Sequence, residues 1–405
     1  MAVETRKPKI LFCSYHSYLD PTSGAAIATR DLLEMLSAQG WECAVLSGPD
    51  LDFGAEGALE AVLRAEKVPL QIRSGNVADV DCTLYHCLLN GVTVHAYAPV
   101  GVQPRTAPTQ KEGQAFLSLA QLVEQRFRPN ILLTFGGHWL MFPLVQWARN
   151  KGMKVVFALH NFDYTGTDLF RQVDAVLVPS HAAQEHYQTT LGITSTAIPC
   201  PWNWERIRCP QVQGRFVTFV NPQPYKGALW FARIAYEMHQ RRPDIQFLVV
   251  EGRGKADWLS RCDLDLNGVT NLHRMPTTPD ARQFYAVSRV ILVPSLCQEA
   301  FGRVAVEALI NGIPVLASNR GGLPEALAEA GFLFDIPPQY TPQWRQVPSA
   351  EEVAPWLHLI ERLWDDEAFH QMESERGRRA AETWRTDRLW PRFEEFFLRL
   401  LTASD

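Results

Sequence analysis

A chain of 405 residues is longer than one hydrophobic core usually supports, so two domains of roughly 200 residues each are expected. Its composition, 46% hydrophobic and 20% charged, excludes a disordered or fibrous protein, and a formal charge of −5 with no long basic stripe argues against a nucleic-acid partner. No run approaches the roughly 18 apolar residues of a membrane span, and the start MAVETRKPKILFCSYHS lacks a signal-peptide core; no integral membrane segment and a cytoplasmic address are expected.

In chain order, the apolar runs KILFCSY, ECAVLSG, NILLTFG, KVVFALHN, AVLVPS, RFVTFV, QFLVVEG, VTNLHRM, VILVPSL and PVLASN have strand length and character. Between them, segments such as GAAIATRDLLEMLSAQG and GALWFARIAYEMHQRRP repeat their apolar residues near helical spacing and stop at Gly or before Pro. This alternation predicts an α/β protein with parallel sheets. Three prolines in IPCPWNWERIRCPQVQG, Ile198 to Gly214, interrupt both periodicities and mark a linker. The eight cysteines, Cys262 among them, form no CxxC pair and read as reduced core residues. Ligands of such domains gather beyond the carboxyl ends of the strands, which directs attention to residues just after them.

The stretch SLCQEAFGRVAVEAL, Ser295 to Leu309, holds two glutamates, Glu299 and Glu307, in an otherwise apolar run. On one continuous helix they would stand about 12 Å apart along the axis and roughly 80° apart around it, too far to act on one atom. That separation suits an elongated ligand with hydroxyls at both ends. Here VILVPSL reads as strand, Cys297 to Gly302 as loop and Arg303 onward as helix, so Gly302 and the following amides of Arg303 and Val304 open a helix N-terminus fit for an anion. A carboxylate on either side of a phosphate site describes a sugar, a diphosphate and a ribose. Alone, the pair is equally well a loop carboxylate and a helix-surface carboxylate.

This stretch resembles the E-x7-E signature of GT-B nucleotide-sugar glycosyltransferases, in particular the retaining glycosyltransferase family 4. Downstream, GIPVLASNRGGLPEAL is similar to that family's segment around Gly321 and Gly322; upstream, NPQPYKGALWF is similar to its phosphate-lysine loop and KVVFALHN to its strand ending in histidine. The resemblance implies two Rossmann-like domains facing a cleft: residues 1–203 for the acceptor, 204–384 for the nucleotide-sugar donor, and 385–405 as a helix packing back on the first domain. It implies Glu307 on the ribose, Glu299 near the donor-sugar hydroxyls, Lys226 on the diphosphate and His160 against the transferred sugar. Gly24 would form the loop approaching the phosphates, although the usual second glycine is Ala25. Where the family carries an arginine, Asn221 stands; Arg253 and Arg303 are the candidates to restore that charge. His138, at another strand end, would line the acceptor side.

The implied reaction is sugar transfer with retention, without a metal or cofactor; a UDP-sugar is expected ahead of GDP- or ADP-sugars, and a soluble small-molecule or glycan acceptor. A nucleotide-sugar epimerase and a non-catalytic nucleotide-sugar-binding module are the alternatives. Other signals fail. The triplets at Asp50/Asp52, Asp79/Asp81 and Asp263/Asp265 are expected by chance, Cys82, His86 and Cys87 lack a second ligand pair at zinc spacing, and the two glycines of Gly252-Arg-Gly254 do not make a dinucleotide fingerprint.

Overall fold

The computed structural model describes residues 8–51, 59–101, 107–261, 263–266 and 268–402; Asp52 and Cys262 lie outside them. The chain divides into two compact units. One comprises residues 1–179, 183–202 and 386–405, the other 180–182 and 203–385.

The first unit contains β1 (Lys9–His16), β2 (Glu42–Asp50), β3 (Gln71–Val77), β4 (Val80–Leu89), β5 (Val92–Pro99), β6 (Ile131–Thr134), β7 (Lys154–Ala158), β8 (Ala175–Val178) and β9 (Thr196–Ala197). They form one sheet in the order β3-β4-β5-β2-β1-β6-β7-β8-β9. Buried on both faces, the central strands read as continuous apolar runs, with Leu11 level with Ala44 on one side and Leu132 on the other. Their core collects Leu11, Phe116, Leu144, Val155, Phe157 and Tyr187.

The expectation of parallel sheets needs one correction. β4 runs antiparallel to both β3 and β5 and builds a mixed edge on the otherwise parallel sheet. Two-residue turns make these hairpins: Ala78 and Asp79 have φ of 49° and 62°, Asn90 and Gly91 have 47° and 80°, all left-handed as such turns require. The Asp79/Asp81 triplet belongs to the first turn, where Asn76 Nδ2 donates to Asp81 Oδ1 at 2.8 Å.

The second unit contains β10 (Phe216–Val220), β11 (Gln246–Val250), β12 (Leu272–Met275), β13 (Ser288–Val293), β14 (Val315–Ser318) and β15 (Phe332–Phe334), all parallel, in the order β12-β11-β10-β13-β14-β15. Counted along the chain this is the doubly wound order 3-2-1-4-5-6, whose direction of growth reverses between β10 and β13. The parallel strands β5-β2-β1-β6-β7-β8 of the first unit repeat it, reversing between β1 and β6. The second core gathers Phe219, Phe231, Phe247, Leu292, Leu316 and Trp356. Among its covering helices, Ala350–Asp365 starts with a complete capping box, Ser349 with Glu352.

Of the cysteines described, Cys200 and Cys297 are half-buried rather than core residues; the other five are buried, and all are free thiols. The last helix, Thr386–Thr402, belongs to the first unit, where its apolar stripe of Leu389, Phe393 and Phe397 is buried and Trp41 meets Trp390 and Phe397. Arg392 fastens it by donating to the Ala197 carbonyl at 2.8 Å. Phe397 is fully buried, so Phe397→Ala is expected to cost about 3–5 kcal/mol in urea unfolding; a loss far below that would mean the helix is dispensable to the first unit.

Candidate functional site

The second sheet changes direction between β10 and β13, the point beyond whose strand ends doubly wound sheets gather ligands. Lys226 follows β10 and Glu299 follows β13. The Lys226 ammonium lies 2.7 Å from both oxygens of the Glu299 carboxylate, and the Ser295 hydroxyl donates to the same carboxylate. Side-chain exposures of 26% and 12% make this a largely buried ion pair. Burial opposes the charge on both groups, but their attraction outweighs it: Glu299 titrates below, and Lys226 above, its ordinary range. Glu299 also lies in the field of Arg253.

The loops that carry this pair are tied to one another by backbone. Leu296 and Cys297 donate to the Tyr225 carbonyl at 2.8 and 3.0 Å, and Lys226 closes a short turn, Pro224–Lys226, before Gly227 and the helix Ala228–Arg241. Gly227 has φ 87°, and a Cβ there would run into the Pro294 carbonyl. On the other side, Glu299 bridges Gly321, the Gly322 amide donates to the Glu299 carbonyl at 2.7 Å, and the Ser318 hydroxyl donates to the Ser295 carbonyl at 2.8 Å. A side chain at Gly321 (φ 60°) would strike the Glu299 backbone. Arg320 spends its guanidinium on the carbonyls of Leu296, Ile336 and Pro337. The two glycines therefore act by admitting the Glu299 loop.

Gly302 caps the helix Arg303–Ile310 in a left-handed conformation (φ 109°). Glu307 lies in that helix while Glu299 lies in the preceding loop, so the two are not on one helix. The Glu307 carboxylate accepts from the Tyr285 hydroxyl at 3.1 Å and from Arg303 Nε at 3.2 Å, with 12% of its side chain exposed. Tyr285 also reaches the Val304 carbonyl at 3.4 Å; burial first, then the Glu307 charge, holds its hydroxyl well above the ordinary tyrosine range. Arg303 is thus engaged at the ribose-assigned end of the signature. Of the two candidate arginines, Arg253 is the one whose charge acts on Glu299 and on Tyr225.

Asn221 has a specific backbone task. It is left-handed (φ 63°), and its side-chain oxygen accepts from the Gly254 amide at 2.7 Å, which fixes the Gly252–Gly254 loop that bears Arg253. Cys297 stays a thiol at neutral pH, because burial and then the Glu299 charge push it up to about 12.

The first unit holds the other sequence-derived candidates. Gly24 is an exposed residue opening the helix Gly24–Ala38. His160, just after β7, meets the Phe135 ring edge-on at 5.8 Å, and Phe135 stacks on His16 at 5.7 Å. His138 does have a polar partner, one the sequence reading did not supply. His138 Nε2 and His16 Nδ1 each lie 2.9 Å from the same oxygen of Asp50, and their rings stack at 4.7 Å. Burial disfavours the Asp50 charge, but the hydrogen bonds from His138 and His16 outweigh it and hold the carboxyl at about 2. No local motif announces this group, whose members are 34 and 88 positions apart; only adjacency of strand ends joins them.

With this geometry in view, comparison with known proteins places the chain first in a structural class. It superposes on the sucrose-phosphate synthase of Thermosynechococcus elongatus with a TM-score of 0.65 at 17% identity, covering 98% of this chain and 100% of that one. A glycosyltransferase from Rickettsia africae gives 0.68 at 14% identity, again over 98% and 100%. Both likenesses establish the fold, the two-unit α/β architecture of GT-B glycosyltransferases. Residues 214–343 match the family described as Glycosyl transferases group 1. A D-inositol 3-phosphate glycosyltransferase of Paenarthrobacter aurescens is 30% identical over 167 residues, 39% of this chain and 36% of that protein. The chain matches about a third of the length of such curated relatives.

Lys226→Met leaves Glu299 buried without its cation and is expected to cost about 3 kcal/mol near neutral pH. In the native protein Glu299 titrates below its usual 4.5, so the pair's contribution is complete above that pH and fades below it; Lys226 titrates above its usual 10.5, so the alkaline loss begins only beyond that. Urea unfolding across pH checks this: the gap between native protein and variant should narrow on acidification, and a constant gap would contradict the pair's role.

Proposed function

We propose that the protein is a glycosyltransferase that moves a sugar from a nucleotide-sugar donor to an acceptor hydroxyl. The observation that carries this reading is the Lys226–Glu299 pair at the reversal point of the second sheet, beside the Gly302 helix start and within the segment that matches the Glycosyl transferases group 1 family. An ammonium shares its donors between a carboxylate and an incoming anion. A diphosphate seated there meets Lys226 and the nearby charge of Arg253, and Glu299 is left to accept hydroxyl donors of the sugar. The relatives named as glycosyltransferases support the same reaction class.

In this reading Glu307 receives the ribose hydroxyls, with Tyr285 and Arg303 orienting its carboxylate, and the first unit binds the acceptor with His160 and His138. Cations of the protein stabilise the leaving diphosphate as its charge grows, so that the donor chemistry needs no metal. Transfer proceeds with retention, the leaving phosphate taking the acceptor proton, and the donor is a UDP-sugar. The acceptor is a soluble polyol or glycan and the reaction takes place in the cytoplasm.

Incubation with UDP-, GDP- and ADP-glucose, with and without polyol acceptors, tests this by nucleotide release and by NMR of the product anomer. Acceptor-dependent release of UDP with the donor's anomeric configuration is expected. Binding without release marks a nucleotide-sugar-binding module, and a changed donor sugar without transfer marks an epimerase; either overturns the proposal. Glu299→Gln should lower turnover by about 10²-fold or more, while Glu307→Ala should weaken nucleotide affinity by about 1.5–3 kcal/mol in calorimetry; unchanged affinity in the latter would remove the ribose assignment.

A further inference from the structure

We propose that His16, Asp50 and His138 form a binding site for a divalent transition-metal ion of the zinc class in the first unit. The three come from the ends of β1 and β2 and from the loop after β6, at the point where the first sheet reverses its strand order, the place where doubly wound sheets bind ligands. Their donor atoms, two imidazole nitrogens and one carboxylate oxygen, all lie within 4.8 Å of one another. Both nitrogens stand 2.9 Å from the same oxygen, Asp50 Oδ2. Ligands bound in adjacent positions at about 2.1 Å from a metal are separated by roughly 3.0 Å in an octahedron and 3.4 Å in a tetrahedron, so the two nitrogen–oxygen separations already have coordination spacing, and an ion entering between the three atoms draws the two imidazoles about it.

The charge balance favours a cation. Among the described residues, the ion pairs of Asp50 are with the two histidines, and neither a lysine nor an arginine pairs with it, although only 10% of its side chain is exposed. A buried carboxylate that no lysine or arginine pairs with gains from a dication as it would from a salt-bridge partner. Two nitrogens and one oxygen suit zinc and its neighbours better than magnesium or calcium, which prefer all-oxygen sites. With His16 and His138 side chains 27% and 17% exposed, water can complete the sphere.

The scaffold holds the ligands in place. The register of β1 against β2 slips between Ser14 and His16, a bulge that brings His16 level with Asp50. The Ser17 amide donates to the Asp50 carbonyl at 2.7 Å and the Ser14 hydroxyl donates to the Phe135 carbonyl at 2.8 Å, tying all three strand ends together. Gly136 (φ 130°) lets the backbone pass close to His16, where a Cβ would approach the ring at 2.9 Å. None of this depends on the transfer reaction proposed above, and a protein that binds the ion yet transfers no sugar leaves the site standing.

Full-length protein stripped with a chelator and titrated with Zn2+ and Co2+ by calorimetry and visible absorption tests the site. Saturable binding of one ion per chain is expected, with affinity lowered about 10-fold or more in His16→Ala, His138→Ala and Asp50→Asn. His86→Ala, which alters the separate stacked pair His86–His95, should leave it unchanged. Should a variant fail to fold by circular dichroism, pulsed EPR of the Cu2+-loaded native protein decides, with two coordinated imidazoles expected. No saturable binding, binding that the three substitutions leave intact, or fewer than two imidazoles on copper would overturn the proposal.

Discussion

The arrangement of the second unit depends on one constraint: a lysine and a glutamate from different loops must be desolvated together at the carboxyl edge of the sheet. Neither charge would be tolerable there alone, since burial opposes ionisation of both. The sequence meets that constraint with backbone. Gly227 lets the Lys226 turn pass under Pro294, Gly321 and Gly322 admit the Glu299 loop, and the Tyr225 carbonyl anchors that loop's other side. The parallel sheet supplies the position, because its strand order reverses between β10 and β13 and the connections from these two strands leave in opposite directions.

The two units use the same strand order for different chemistry. At its reversal point the second unit sets a cation on a carboxylate, with glycines and a helix start around it, an arrangement suited to phosphate and hydroxyls. At the corresponding point the first unit sets two imidazoles on a carboxylate with aromatic rings behind them, an arrangement without a fixed positive charge. One fold thus presents two strand-end clusters whose chemistry differs with the side chains placed there.

Much of this was legible in the sequence, for identifiable reasons. Strands buried on both faces leave unbroken apolar runs, so VILVPSL and RFVTFV declared themselves, and the loop-to-helix change at Gly302 falls where the glycine predicts. The mixed edge was written in LLNGVTV, whose Asn90-Gly91 pair is a hairpin signal, but β3 is too polar to read as a strand. The partners of the signature residues were not legible: Tyr285 on Glu307 and Ser295 on Glu299 follow from helix and loop placement. Asn221 read as a missing charge, and the structure gives it a backbone role that places Arg253. The histidine–aspartate cluster needed the strand order and a bulge, neither of which a single sequence displays.

The proposed transfer depends above all on Lys226, held by Glu299, as the contact for a diphosphate. The most direct measurement compares UDP with uridine by calorimetry on the native protein and on Lys226→Met. Lys226→Met is expected to lose affinity for UDP by about 10-fold or more while its affinity for uridine is unchanged. Equal loss for both ligands, or none for UDP, would contradict it.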